Sequence, residues 1–223
     1  MPVDRDPTPC PACRLHRWLC LCASAPRVAT RTSLLLIVHV HELGRTSNTA
    51  RLLALAVRDT ALVGHGGIGT PTDLTPHLPA GATPVVLFPG RGARELTPEL
   101  AASLPPKLAL VVPDGNWKQA ARMVKRLPLL AGALKVALPT RAFEGAALRR
   151  NRPGRMSTYE AVVQALGVLE GETVTGPLLD FYRRATDRML MVRGKLKPEE
   201  VYGGLDPGKG RATDSEEPSE RMG

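Results

Sequence analysis

The chain has 223 residues, 43% of them apolar, enough to bury one domain-sized core with a small appendage. No apolar run approaches the roughly 20 residues of a membrane span, and the start Met1-Pro2-Val3-Asp4-Arg5-Asp6 lacks the basic-then-apolar order of a secretory signal, so a cytoplasmic protein without membrane contact is expected. The net charge of +9 points to polyanionic partners.

All four cysteines lie in the first 22 residues, as Cys10-x-x-Cys13 and, six residues on, Cys20-x-Cys22. Four thiolates this close suit tetrahedral zinc, and their Pro-rich surroundings cannot build a core without such a staple. Disulfides and free thiols compete with this reading, but a cytoplasmic chain keeps disulfides reduced. An iron–sulfur cluster uses similar ligands, and His16 is a possible replacement ligand. A structural role fits best, because four protein ligands leave no open position. Residues 1–30 are therefore read as a small four-cysteine zinc-binding module.

Residues 33–41 (Ser-Leu-Leu-Leu-Ile-Val-His-Val-His) read as a buried first strand, in which His39 has the look of a satisfied core histidine. A helix over about 48–62 follows, capped by Ser47 or Asn48. A second strand at 85–88 is broken by Pro89-Gly90, a third covers 108–112, and a fourth 135–138. Helices are predicted near 98–104 and 117–127, then over 158–170 and 177–191. Strands alternating with helices imply parallel pairing with helical crossovers on both faces. The core domain spans 31–202, and the Gly-, Pro-, Ser- and Glu-rich tail 203–223 is expected to be disordered.

Polar clusters stand at the strand ends. After the first come His39 to Leu52, including Ser47-Asn48-Thr49-Ala50-Arg51; after the second, Phe88-Pro89-Gly90-Arg91-Gly92; after the third, Pro113-Asp114-Gly115-Asn116-Trp117; beyond the fourth, Arg155-Met156-Ser157-Thr158-Tyr159-Glu160. Each alone reads as a cap or turn, with Asp114 an N-cap and Trp117 a packing residue. Four at successive strand ends suggest a crevice of the kind that forms at carboxyl ends of parallel strands.

Charge is concentrated. Residues 118–155 hold ten basic side chains (Lys118, Arg122, Lys125, Arg126, Lys135, Arg141, Arg149, Arg150, Arg152, Arg155) and one acid, Glu144. A second tract has Arg183, Arg184, Arg188, Arg193, Lys195 and Lys197 against Asp187. This density fits a phosphate-backbone footprint, the alternative being a solvated helix face. The 4% aromatic content argues against a single-strand stacking platform.

The cysteine spacing, Ser47-Asn48-Thr49-Ala50-Arg51-Leu52, Pro113-Asp114-Gly115-Asn116-Trp117 and Ser157-Thr158-Tyr159-Glu160-Ala161 together resemble the DTW-domain family of tRNA-uridine aminocarboxypropyltransferases, over 10–202. One departure stands out: Asn116 occupies the position of the Thr in the Asp-Thr-Trp that names the family. The resemblance implies an α/β fold related to SPOUT methyltransferases, with a C-terminal trefoil knot. It implies S-adenosylmethionine as donor of its 3-amino-3-carboxypropyl group and the imide N3 of a tRNA uridine as acceptor, with methylthioadenosine leaving.

Within that expectation Asp114 is the candidate general base, Trp117 a stacking wall and Asn116 a group that orients the uracil edge. Phe88, Pro89, Gly90, Pro113 and Leu138 are expected around the donor, with Arg155, Ser157 or Thr158 holding its carboxylate. Asn48, Arg51, Lys118, Arg122, Lys125, Arg126, Arg149, Arg150 and Arg152 are the expected RNA-contacting or bracing residues. A SPOUT-type RNA methyltransferase and a noncatalytic zinc-bearing RNA-binding protein are the alternatives, and an rRNA aminocarboxypropyltransferase is a chemical neighbour. A monomer is expected.

Overall fold

The computed structural model describes residues 5–67, 72–139 and 156–205. Its strands are β1 (Ser33–His39), β2 (Thr60–His65), β3 (Thr83–Leu87), β4 (Arg94–Glu95), β5 (Leu108–Asp114) and β6 (Leu134–Ala137). Its α-helices are α1 (Val40–Leu43), α2 (Ala50–Ala56), α3 (Pro98–Ser103), α4 (Trp117–Arg126), α5 (Pro128–Gly132), α6 (Thr158–Glu170) and α7 (Thr175–Val192).

The strands form one sheet in the order β2-β1-β5-β3-β6-β4, and every neighbouring pair is parallel. Central β5 is buried at all seven positions, the pattern of a strand covered on both faces. Alternate residues of β1 face opposite layers. Leu34, Leu36 and Val38 pack with α2, α3, α6 and α7, whereas Leu35 and Ile37 pack with α4 and α5. Cys10, Cys13, Leu15, Leu19 and Leu21 belong to the first of these layers, so the cysteine module shares its core with the main domain.

The parallel sheet with helices on both faces agrees with the sequence reading, with local differences that include the unforeseen helix α5. The helix placed over 48–62 ends at Ala56, and residues 60–65 form β2 instead. Two features end it. Val57 takes an extended conformation and bridges to Val28, and Asp59 turns the chain at φ 52°. The first strand stops at His39, whose ring accepts the His41 N–H and caps α1. The two-residue β4 was not foreseen; both its residues are exposed and carry no apolar pattern. Helix α6 has the predicted limits, fixed by a reciprocal Ser157–Glu160 capping box at one end and Gly171 at φ 94° at the other. Arg141, Arg149, Arg150, Arg152, Arg155 and most of the tail lie outside the described residues.

Candidate active site and metal centre

Parallel pairing brings the carboxyl ends of all six strands to one edge, and the polar clusters meet there. Strand β5 is paired with β3 only as far as Val111, so Pro113 and Asp114 are held by β1 alone. A proline without an N–H is tolerable on such a half-paired end. Asp114 is 9% exposed. Its Oδ2 accepts a 2.6 Å hydrogen bond from the Asn48 amide, and its Oδ1 accepts the hydroxyl of Thr158, the first residue of α6. Three distant segments thus converge on one carboxylate, set against the positive end of a 13-residue helix.

A further set of bonds fixes these donors. Asn48 is buried, and its Oδ1 lies 3.4 Å from the Arg51 N–H at the start of α2. The Thr49 hydroxyl accepts the Tyr159 N–H at 3.4 Å. Ser157 shares a 2.7 Å hydrogen bond with the Tyr182 hydroxyl of α7, and the Tyr159 and Tyr182 rings stack at 4.6 Å. Tyr182 was missed by sequence reasoning. Nothing in the apolar pattern of its helix distinguishes it from a core residue.

Asn116 caps α4. Its Oδ1 accepts the Gln119 N–H at 3.0 Å, and the Gln119 side chain accepts the Asn116 N–H at 2.7 Å. Thr is also a residue type that caps helices, so the departure at this position is compatible with the same backbone task. Gly115 has no room for a side chain: an added Cβ would stand 2.9 Å from Gln119 Oε1 and 3.4 Å from His39 Cβ. Trp117 is 63% exposed and lies on buried Phe88, ring centroids 5.0 Å apart at 28°. Behind Phe88 the chain turns through Pro89 and Gly90, where a Cβ would come within 3.1 Å of the Phe88 ring. Leu138 follows β6 on the same edge and packs against the core. An open aromatic surface beside a buried carboxylate is the result.

His39 and His65, in register at the ends of β1 and β2, extend this edge. Burial lowers the pKa of each below the ordinary histidine value, and for His39 the neighbouring His41 and His65 add to the effect against Glu42. His39 is part-exposed and caps α1 rather than being enclosed in the core.

Lys118, Arg122, Lys125 and Arg126 are exposed on α4, which begins at Trp117. Lys118, Arg122 and Arg126 are spaced four residues apart and so share one face. The second basic tract is divided. Arg193, Lys195 and Lys197 are exposed, whereas Arg188 is buried and donates to the carbonyls of Leu19 and Gly204. Arg51 also acts within the protein, its guanidinium donating to the carbonyls of Ala12 and Leu43.

The four cysteine sulfurs lie within 4.8 Å of one another. Three of the separations are 3.7 Å (Cys10–Cys22), 3.8 Å (Cys13–Cys20) and 3.6 Å (Cys20–Cys10). Sulfurs placed tetrahedrally at about 2.3 Å from a zinc ion are about 3.8 Å apart, so the donor set fits such an ion. Burial raises the Cys10 thiol, but the N–H groups of Cys13 and Ala12 and the neighbouring thiols outweigh it and hold the group down at about 7. Burial pushes Cys13 up to about 11, and Cys20 and Cys10 add to the rise. A bound cation reverses that penalty by neutralising the thiolates. The four cysteines can therefore hold a metal ion.

A cavity of about 380 Å³ opens at the opposite edge of the sheet, beside Arg27, Arg58 and Asp59. Converging polar groups, rather than cavity size, mark the candidate site. No helix among the described residues is long and apolar enough to cross a membrane.

Comparison with known proteins adds two findings. The DTW domain family matches residues 8–190. A protein of Arabidopsis thaliana named tRNA-uridine aminocarboxypropyltransferase A is 27% identical over 201 residues, covering 76% of each chain. No solved structure matches.

Proposed function

Because the chain belongs to the DTW-domain family, we propose that it is a tRNA-uridine aminocarboxypropyltransferase with its reaction centre at Asp114. The observation that carries the reading is the convergence of Asn48, Asp114 and Thr158, one residue from each of three separate motifs, on a single hydrogen-bonded carboxylate. The name of the Arabidopsis relative supports the reaction class. The proposed donor is S-adenosylmethionine, the acceptor the N3 of a tRNA uridine and the metal zinc at the four cysteines. The fold relationship proposed is to the SPOUT enzymes, with a C-terminal knot, and the setting proposed is the cytoplasm.

All three carbons on a sulfonium are electrophilic, so placement selects the group that moves. In the proposed reaction the uridine N3 attacks the sulfonium-bound carbon of the aminocarboxypropyl chain. The carbon–sulfur bond breaks with its electron pair going to sulfur, giving neutral methylthioadenosine. The N3 proton passes to Asp114. Asn48 and Thr158 keep the carboxylate turned to the edge, leaving lone pairs on both oxygens for that proton. The exposed face of Trp117 offers a stacking surface for an unstacked base, and the exposed cations of α4, which begins at Trp117, are the proposed contacts for the flanking phosphates. The start of α6 supplies a positive helix end for the donor's carboxylate.

The test is to incubate the purified chain with S-adenosylmethionine and unmodified tRNA, then identify the small-molecule product and the tRNA nucleosides by mass spectrometry. Methylthioadenosine with an aminocarboxypropyl-uridine is expected. Adenosylhomocysteine with a methylated nucleoside would make the protein a methyltransferase instead. Binding of tRNA without binding of S-adenosylmethionine would leave a noncatalytic RNA-binding protein.

A further inference from the structure

The cysteine module packs in the same layer as α2 and α7, and a series of contacts leads from it to Asp114. Ala12 lies between the paired ligands Cys10 and Cys13. Its N–H is directed at the Cys10 sulfur, and its carbonyl accepts Arg51 Nη1 at 3.3 Å. Arg51 Nη2 donates to the carbonyl of Leu43, the last residue of α1. The Arg51 backbone N–H is directed at Asn48 Oδ1, and the amide of the same Asn48 holds Asp114 at 2.6 Å.

We propose that Arg51 is a positioning residue through which metal loading of the cysteine module sets the Asp114 carboxylate; the catalytic meaning of this coupling rests on the function proposed above. Both charge and geometry tie Arg51 to the module. Arg51 is half-buried and its Nε has no hydrogen-bond partner among the described residues; burial and the nearby Arg14 cation both disfavour its charge, and Cys13 is the group that favours it. A zinc ion with four thiolates carries two net negative charges, so a loaded module is the counter-charge for this cation. Removing the metal takes away that counter-charge and frees the Ala12 carbonyl to rotate. Arg51 then loses two of its restraints at once, and Asn48 loses the anchored start of α2 beneath it.

Hydrogen–deuterium exchange followed by mass spectrometry tests the coupling without recourse to activity. Four samples are compared: wild type and Arg51→Met, each as purified and after zinc chelation, with metal content measured in parallel. In wild type, chelation is expected to raise exchange about fivefold or more at 47–53 and at 113–119, the lower range of measured couplings between sites. Arg51→Met is expected to keep one metal per chain and to show the same rise, with no further rise at 113–119 on chelation. Wild-type protection at 113–119 in metal-loaded Arg51→Met would overturn the proposal, as would chelation that loosens only 8–25. Should Arg51→Met lose protection throughout the sheet, Arg51→Lys replaces it: the cation stays but reaches only one of the two carbonyls, and exchange at 113–119 must still rise. Transfer by the same samples separates the two ideas. Coupled exchange in a wild type that transfers nothing would sink the proposed function and leave the coupling standing.

Discussion

Asp114 is buried but not isolated, because each of its oxygens has a donor placed by a different segment of the chain. Asp114→Asn keeps the size and loses the proton acceptor, so transfer is expected to fall by about 10²- to 10⁴-fold while the melting temperature stays near that of wild type. Undiminished transfer would remove Asp114 from the chemistry. Asn116 calls for the opposite expectation. Its side chain caps α4, and threonine caps helices almost as well. Asn116→Thr, which restores the family's own residue, should change stability by less than about 1 kcal/mol and leave transfer within a few-fold. A large loss would mean that the Asn116 amide touches the substrate, as its place beside Trp117 first suggested.

Helix α6 is fastened at both ends. At its start Thr158 reaches Asp114; at its last residue the Glu170 carboxylate, 6% exposed, accepts the Thr32 N–H at 2.9 Å, the Thr32 hydroxyl at 2.5 Å and the Arg31 N–H at 3.1 Å. Burial alone would raise the Glu170 pKa, but these bonds outweigh it and hold the group below the ordinary glutamate value. A carboxylate so depressed adds stability at pH values above its unfolded pKa and loses it as pH falls through the folded one. Glu170→Gln should therefore lower the melting temperature at pH 7, where the loss is about 1–3 kcal/mol, and the gap to wild type should close as both are taken toward about pH 3. A gap independent of pH would show that packing, not the ionised carboxylate, accounts for the loss. The limits of α6 were legible because the Ser157–Glu160 box and Gly171 are local signals. The fastening of its end to Arg31 and Thr32, 138 residues away in the case of Thr32, was not, since no local pattern encodes a pairing of that span. Strand β2 was missed for a related reason. It is an edge strand of mostly half-buried residues, and its short apolar run Ala61-Leu62-Val63 continues the helical pattern of α2.

The candidate site was legible as a set of motifs at strand ends, because a parallel sheet must bring those ends together. Which residue touches which was not: Asn48 and Arg51, read as phosphate-binding or bracing residues, donate to Asp114 and to the Ala12 carbonyl. The cations of α4 remain on the surface, and they give the whole molecule its main electrostatic prediction. Binding of tRNA should weaken steeply as salt rises from about 50 to about 200 mM, and replacing Lys118, Arg122 and Arg126 by Glu should reduce both the affinity and the slope of log K against log salt, by about one unit for each phosphate no longer neutralised. A triple variant with the wild-type slope would move the RNA to another face. The chain has two tryptophans, one at each of its two candidate sites: Trp18 among the cysteines with Arg5 over its ring, and Trp117 open to solvent beside Asp114. Native fluorescence is thereby divided by location. In Trp18→Phe changes in tryptophan emission report on the Asp114 edge, and in Trp117→Phe on the cysteine module, so ligand addition and chelation can be followed separately in unlabelled protein.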